Sequence, residues 1–196
     1  MLTDKNDIEL TILCSDTLER FLAEYTNPDK ITAIQNETSL SLREILVRSA
    51  SVIGTLLWLS KAKGWNLSFE EMSFRFDGRN VDIDLDRQIE HLRGRSQGTT
   101  MPRPDEVKAD IDTARRMYAE LLDHTRGCDL CEVLSKGVHD VFGRNHHNLG
   151  RGGPAVAEVI RAAYSKENFE QTQLYADIRA WEKKRTPLTV FGWPAK

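Results

Sequence analysis

The residues best suited to chemistry lie in one short stretch, GRNHHNLGRGGP, at positions 143–154. Arg144 and Arg151 carry planar guanidinium groups that match phosphate oxygens. His146 and His147 titrate near neutral pH, so they could bind a phosphate or move a proton. Four glycines in twelve residues disfavour a regular helix. The stretch is therefore predicted to be a loop, and it is either an anion-binding site or a plain mobile connector.

The end of this stretch predicts a helix N-terminus. Pro154 is typical of a first helical turn, and Gly152 and Gly153 allow backbone N–H groups to turn toward an anion. The helix dipole adds positive partial charge at the same place. We therefore expect a phosphate group, including that of a nucleic acid, to be bound by Arg144, Asn145, Arg151, Gly152 and Gly153.

A second candidate site comes from the order Cys128-x2-Cys131-x7-His139-x6-His146-His147. Zinc takes four nitrogen or sulfur ligands, and Cys128, Cys131, His139 and His146 would provide such a set for zinc or another divalent metal. Two other interpretations remain open. The cysteines could be small buried residues on one face of a helix, or a redox pair.

Part of this order resembles the metal finger of HNH-type nucleases. That family has a cysteine pair, paired histidines and a Gly-Gly turn, as do Cys128-x2-Cys131, His146-His147 and the Gly-Gly-Pro that ends the loop. The resemblance implies a divalent metal on the scissile phosphate, with His147 or His146 as the base that activates water. No cysteine follows Cys131, so the family's second Cys-x2-Cys is missing.

Another resemblance is to helical ribonucleases of the HEPN type, which place an Arg-Asn followed by a histidine after a helix. Arg144-Asn145 followed by His147 is similar to that motif, although the histidine is closer than in the usual spacing. The resemblance implies that Arg144 stabilises a charged phosphorane and that His147 acts as acid or base. Both resemblances rest on short motifs, and the sequence assigns the chain to no family.

The elements that hold these residues are predicted to be mostly helical. Hydrophobic residues are 40 % and charged residues 29 % of the 196 positions, which is typical of a folded domain. Ser41 and Glu44 have capping-box spacing and predict a core helix over about 40–63. The sequence thus predicts a mainly α, multi-helix bundle-like fold, as a single domain over 1–196 with a sub-boundary at the 96–104 loop.

Other segments predict further helices. Pro104 begins a regular apolar stripe, and residues 128–142 form a shorter helix before the glycine-rich loop. Phe169 to Lys184 is predicted to be one continuous helix. Residues 8–25 fit either a short strand followed by a helix or one helix throughout, and Asn27-Pro28-Asp29 is predicted to be a break.

One β-hairpin is predicted at about 72–86. Apolar residues alternate with polar ones on both sides of the turn Asp77–Asn80, which is the hairpin pattern. Asp82, Asp84 and Asp86 share one face of the second strand. They could bind a hard cation, but we interpret them as a solvated strand face with Arg75 as the cross-strand counter-charge.

Charge and composition restrict the partners. A net charge of −3 and a pI of about 6.0 exclude a protein coated in positive charge, so nucleic-acid binding would need a local basic patch. Three cysteines suggest reduced thiols and a cytoplasmic location. The sequence shows no signal peptide and no apolar run of the ~20 residues that a membrane span needs. The aromatic tail at 190–193 could meet a protein partner.

Three functions therefore stand as hypotheses. The first is a nucleic-acid-associated helical protein that binds, and in one version cleaves, RNA or DNA through loop 143–154, with Arg144, His146 and His147 as catalytic residues. The second is a non-catalytic interaction or scaffolding subunit of a larger assembly. The third is a zinc-binding protein or HNH-like metal-dependent nuclease that uses the cysteine pair and the histidine pair.

Overall fold

The computed structural model describes residues 7–65, 74–84, 103–117, 121–144, 149, 152–185 and 190. Within them the chain is mainly α with one small antiparallel hairpin, so the predicted fold class is confirmed. In chain order the elements are α1 (Ile8–Leu13), α2 (Thr17–Tyr25), α3 (Pro28–Thr38), α4 (Leu42–Ala62), β1 (Phe74–Phe76), β2 (Val81–Ile83), α5 (Pro104–Met117), a 3-10 turn (Leu121–His124), α6 (Gly127–Lys136), a π-turn (Gly137–Val141), α7 (Gly153–Ala163), α8 (Lys166–Glu170) and α9 (Gln173–Lys184).

Helix α4 is the central element of the core. The predicted capping box is present: the Ser41 hydroxyl accepts from the Glu44 N–H, and the Glu44 carboxylate accepts from the Ser41 N–H at 2.8 Å. The helix packs against α3, α5, α6, the 3-10 turn and β2.

Among the described helices, α4 is long and apolar enough to cross a membrane. Its most apolar stretch of 18 residues is, however, 61 % buried inside the protein.

The 3-10 turn crosses α4 at Gly54, where the two backbones nearly touch. A Cβ atom added to Gly54 would lie 1.5 Å from the carbonyl oxygen of His124. Any side chain at position 54 would therefore force the turn away from the helix. The His124 ring also meets Trp58 edge-to-face, with the ring centroids 6.1 Å apart.

The hairpin forms as predicted within the described residues. Its register pairs Phe74 with Ile83, Arg75 with Asp82, and Phe76 with Val81. Phe74, Phe76 and Ile83 are buried, and β1 packs against α6 and the π-turn. Arg75 lies directly across from Asp82, as expected for a charged pair on the solvated face. Asp86 lies outside the described residues.

Two predicted segments differ from the structure. Residues 8–25 form the two helices α1 and α2, neither a strand nor one continuous helix. Asp7 begins α1 by accepting from the Leu10 N–H at 2.8 Å, and the chain turns at residues 14–16, where the Ser15 hydroxyl donates to the Ile12 carbonyl oxygen at 2.6 Å. The single helix predicted from Phe169 to Lys184 is instead split into α8 and α9. The Thr172 hydroxyl accepts from the Tyr175 N–H at 3.1 Å and so begins a new helix.

Helix α3 is an element that the sequence did not predict. Asn27 is its N-cap, with a side-chain oxygen that accepts from the Asp29 N–H at 2.9 Å, and Pro28 is its first residue. The predicted break at these residues is thus also a helix start. Most of the predicted sub-boundary at 96–104 lies outside the described residues, and the single-domain organisation stays a prediction.

Candidate anion-binding loop

The start of loop 143–154 is anchored to the junction of α2 and α3. Gly143 forms an isolated antiparallel bridge with Thr26. The Arg144 N–H donates to the Tyr25 carbonyl oxygen at 3.1 Å, and the Asn27 N–H donates to the Phe142 carbonyl oxygen at 2.8 Å. These bonds fix the backbone that carries Arg144.

The π-turn just before the loop depends on two glycines. A Cβ atom at Gly137 would lie 2.3 Å from the Phe142 ring, and one at Gly143 would lie 1.7 Å from the Val138 carbonyl oxygen. Without side chains at these two positions, the turn can close tightly over the buried Phe142 ring. It leaves His139 and Asp140 exposed, and π-turns are frequent at functional sites.

The end of the loop is anchored to α6. The Gly152 N–H donates to the Ser135 hydroxyl at 3.1 Å, and the Gly153 N–H donates to Glu132 Oε2 at 2.5 Å. The two glycine N–H groups that were expected to face a phosphate thus donate to protein side chains. The carboxylate of Glu132 stands where an external anion was expected at the N-terminus of α7, and the Lys136 ammonium lies 3.9 Å from its other oxygen.

Most described arginines form an ion pair with a carboxylate, whereas Arg144 forms none with a described residue. Seven arginines form ion pairs with carboxylates: Arg20, Arg43, Arg79, Arg103, Arg126, Arg161 and Arg179. The Arg144 side chain is exposed and makes no hydrogen bond or ion pair with any described residue. Among the described residues, no carboxylate offsets its positive charge.

The remaining loop residues are described only in part. Leu149 is buried, so the middle of the loop also touches the core. Asn145, His146, His147 and Arg151 lie outside the described residues. Their predicted roles in catalysis and phosphate binding stay predictions.

The cysteine pair lies in the first turns of α6. Cys128 is exposed and Cys131 is fully buried. Burial, with a smaller effect of the Glu9 charge, raises the pKa of the Cys131 thiol to about 12. Burial also raises the pKa of Cys128, and the neighbouring Asp129 adds to the effect. Both thiols are thus protonated at neutral pH, whereas a metal binds the thiolate form.

The predicted zinc ligands are not brought together within the described chain. His139 is exposed on the π-turn, beyond the end of α6. No three or more His, Cys, Asp or Glu side chains among the described residues are placed to hold a metal ion. Cys128, Cys131 and His139 therefore do not form a three-ligand group. The fourth predicted ligand, His146, lies outside the described residues, and metal binding stays a prediction.

A cavity of about 540 Å³ opens where α1, α6 and α7 meet. Both cysteines of α6 line it, together with Pro154 at the end of the loop. On its wall the Arg161 guanidinium donates to the Glu9 carboxylate. Burial alone would raise the pKa of Glu9, but the bond and charge of Arg161 outweigh it and hold that pKa below its usual value.

The predicted partner-binding tail is described at a single residue. Val190 is exposed, and its N–H donates to Glu182 Oε1 at 2.6 Å. Nearby, Trp181 is exposed, with the Arg185 guanidinium 5.4 Å from its ring centroid. Residues 191–193 lie outside the described residues, so a partner at this tail stays a prediction.

No protein-family model, curated protein or solved structure matches the chain. The resemblances to HNH-type and HEPN-type nucleases therefore rest on their motif residues alone.

Proposed function

We propose that the protein binds nucleic acid through loop 143–154, with Arg144 as a principal phosphate contact. The observation that carries the proposal is the exposed Arg144 guanidinium, which no described carboxylate neutralises, on a backbone fixed by the Tyr25 carbonyl. A guanidinium group pairs with phosphate oxygens through two parallel hydrogen bonds. A fixed backbone lowers the ordering cost of that contact.

The charge distribution supports a local site. The protein carries a net charge of −3, and seven of the described arginines are paired with carboxylates. Arg144, which no described carboxylate neutralises, would form a small basic patch on an acidic protein if His147 and Arg151 of the same loop contribute to it. Such a patch gives binding that weakens as salt concentration rises, because phosphate contacts release counterions.

The hydrogen bonds at the end of the loop favour a phosphate contact near its start, at Arg144. A phosphate at Gly152 and Gly153 would have to displace the Glu132 carboxylate, which already accepts the Gly153 N–H. The same carboxylate would also repel a phosphate electrostatically. We therefore place the phosphate at the Arg144 end of the loop, and we regard Glu132 as an internal competitor at the other end.

Binding is tested by fluorescence anisotropy with labelled single-stranded RNA and DNA at low salt. Replacement of Arg144, His147 and Arg151 by alanine should weaken binding by about tenfold or more, since two full charges are lost. A control with Arg48→Ala and Lys108→Ala removes the same full charges from exposed positions on α4 and α5. The control should bind as the parent does. Equal losses in both variants, or no binding by the parent, would contradict the proposal.

Cleavage is a separate part of the proposal and needs its own assay. The parent is incubated with the same RNA and DNA, with and without EDTA, and the products are resolved on a gel. Catalysis by Arg144 and His147 alone should survive EDTA, because it needs no metal. An HNH-like reaction should be lost with the metal. Intact substrate under both conditions would restrict the function to binding.

A further inference from the structure

The two cysteines of α6 differ in access although they line the same cavity. Cys128 is exposed, so a molecule in solution can reach its sulfur, whereas Cys131 is fully buried. Their spacing of three residues places both on one face of the helix. Cys131 is therefore accessible to its neighbour Cys128 but not to an external oxidant.

We propose that Cys128 and Cys131 are a reversible dithiol–disulfide site that is oxidised by a low-molecular-weight disulfide such as oxidised glutathione. The thiolate of Cys128 attacks one sulfur of that disulfide, the S–S bond breaks, and one glutathione leaves as a thiol after taking up a proton. Cys131 then loses its proton and attacks Cys128 Sγ, which displaces the second glutathione. Two protein thiols are oxidised, and one small disulfide is reduced to two thiols.

The geometry of the helix start permits this reaction. Cβ atoms three residues apart on a helix are about 5–6 Å apart, and a disulfide needs about 3.5–4.5 Å. The first turn of α6 must therefore tighten by roughly 1–2 Å on oxidation. Cys128 lies in the first turn of α6, where the first N–H groups have no partners within the helix, so the movement falls at the helix end and not in its interior. The cavity beside the pair leaves room for the attacking molecule.

Formation of the disulfide would shift two hydrogen bonds that join α6 to neighbouring elements. The Gly127 N–H, one residue before Cys128, donates to Asp7 Oδ2 at 2.6 Å and ties α6 to α1. Glu132, one residue after Cys131, accepts from the Gly153 N–H at the end of the loop. A tighter first turn would shift both contacts. The proposed redox reaction is a separate activity and does not require that the protein bind nucleic acid.

The charged surroundings set the pH dependence of the reaction. The charged groups around the two thiols come from three helices: Asp7 and Glu9 at the start of α1, Arg126 and Asp129 at the start of α6, and Glu158 and Arg161 on α7. Burial and the acidic groups raise the pKa of both thiols, so the thiolate is the minor form at neutral pH. The oxidation rate should rise by about tenfold per pH unit from pH 7 to 8, in step with the thiolate fraction.

The experiment treats the full chain with oxidised glutathione at pH 8, quenches with acid, alkylates the free thiols and maps the peptides by mass spectrometry. In the parent, the peptide that carries Cys128 and Cys131 should lose two alkylation sites, hold no glutathione and recover both sites after dithiothreitol. Cys131→Ala should stop at a stable glutathione adduct on Cys128. Cys14→Ala should behave as the parent, because Cys14 lies between α1 and α2 and outside this cavity.

Two results would overturn the proposal. One is a stable glutathione adduct on Cys128 of the parent, as in the Cys131→Ala variant. The other is a parent that keeps both thiols alkylatable even at pH 9. The peptide map of the parent decides the question without any variant, so a Cys131→Ala protein that fails to fold does not affect the test. Nucleic-acid binding is not a readout here, so its absence would leave the result unchanged.

Discussion

Replacing Glu132 should destabilise the protein, because this residue of α6 caps the N-terminus of α7. Its Oε2 accepts from the Gly153 N–H at 2.5 Å, and α7 has no side-chain cap from its own N-cap residue, Gly152. Glu132→Ala removes both the acceptor and the negative charge. Glu132→Gln keeps a neutral acceptor of similar shape.

The expected loss follows from the type of bond and its exposure. A hydrogen bond to a charged group contributes about 1.5–3 kcal/mol, and a carboxylate at a helix N-terminus adds about 0.3–1 kcal/mol. The Glu132 side chain is 36 % exposed, so water replaces part of the lost bond. We expect about 1–2 kcal/mol for Glu132→Ala and about half of that for Glu132→Gln.

The assay is urea unfolding followed by circular dichroism. Glu158→Ala is the matched control, since Glu158 is exposed on α7 itself and its loss should change the free energy of unfolding by less than about 0.5 kcal/mol. For a protein of this size the Glu132→Ala loss corresponds to a fall in Tm of roughly 2–8 °C. A Glu132→Ala protein as stable as the Glu158→Ala control would refute the capping role.

Three further predictions follow from other contacts. Gly54→Ala should cost on the order of 3 kcal/mol or more in a urea titration, because its Cβ would overlap the His124 carbonyl; a loss below about 1 kcal/mol would show that the crossing is looser than described. Glu9→Gln should lower stability at neutral pH. Because the folded pKa of Glu9 is lowered, its contribution is present above the unfolded pKa and lost as pH falls through the folded pKa. The free energies of unfolding of parent and variant should therefore converge as the solution is acidified, and a constant gap would exclude the Arg161 pair as the source. Glu132→Gln should tighten nucleic-acid binding in the anisotropy assay, since it removes a competing charge; weaker binding would mean that Glu132 only positions the loop.

Local signals in the sequence predicted the elements whose ends are marked by neighbouring residues. Ser41 and Glu44 are three residues apart and cap α4 as their spacing indicated. Pro104 begins α5, and the alternation around Asp77–Asn80 gives the hairpin. In each case the residues that define the element lie within a few positions of one another, so the local sequence is enough to predict it.

The missed elements depend on residues whose roles were ambiguous. Asn27 and Pro28 suit a break as well as an N-cap followed by a first helical residue, and α3 uses the second option. Thr172 interrupts an apolar pattern that continues on both sides of it, so periodicity alone predicted one helix where the structure has α8 and α9.

The sequence predicted where the candidate loop lies but not the contacts at its ends. The preceding π-turn ends at Val141 and α7 begins at Gly153, one residue before the predicted helix start at Pro154. Arg144 is exposed, as a phosphate contact requires. The acceptors for Gly152 and Gly153 lie 17 and 21 residues earlier, on α6. Nothing in the local pattern of Ser135 or Glu132 marks them as caps of a later helix, because their role arises only when α6 packs against α7.

The most direct test of the proposed function is the salt dependence of nucleic-acid binding by Arg144→Ala. If Arg144 contacts one phosphate of a single strand, the slope of log K against log salt should fall in magnitude by about 0.7 relative to the parent. Arg48→Ala, an exposed arginine on α4, should leave the slope unchanged. An Arg144→Ala protein with the affinity and slope of the parent would contradict the central role given to this loop.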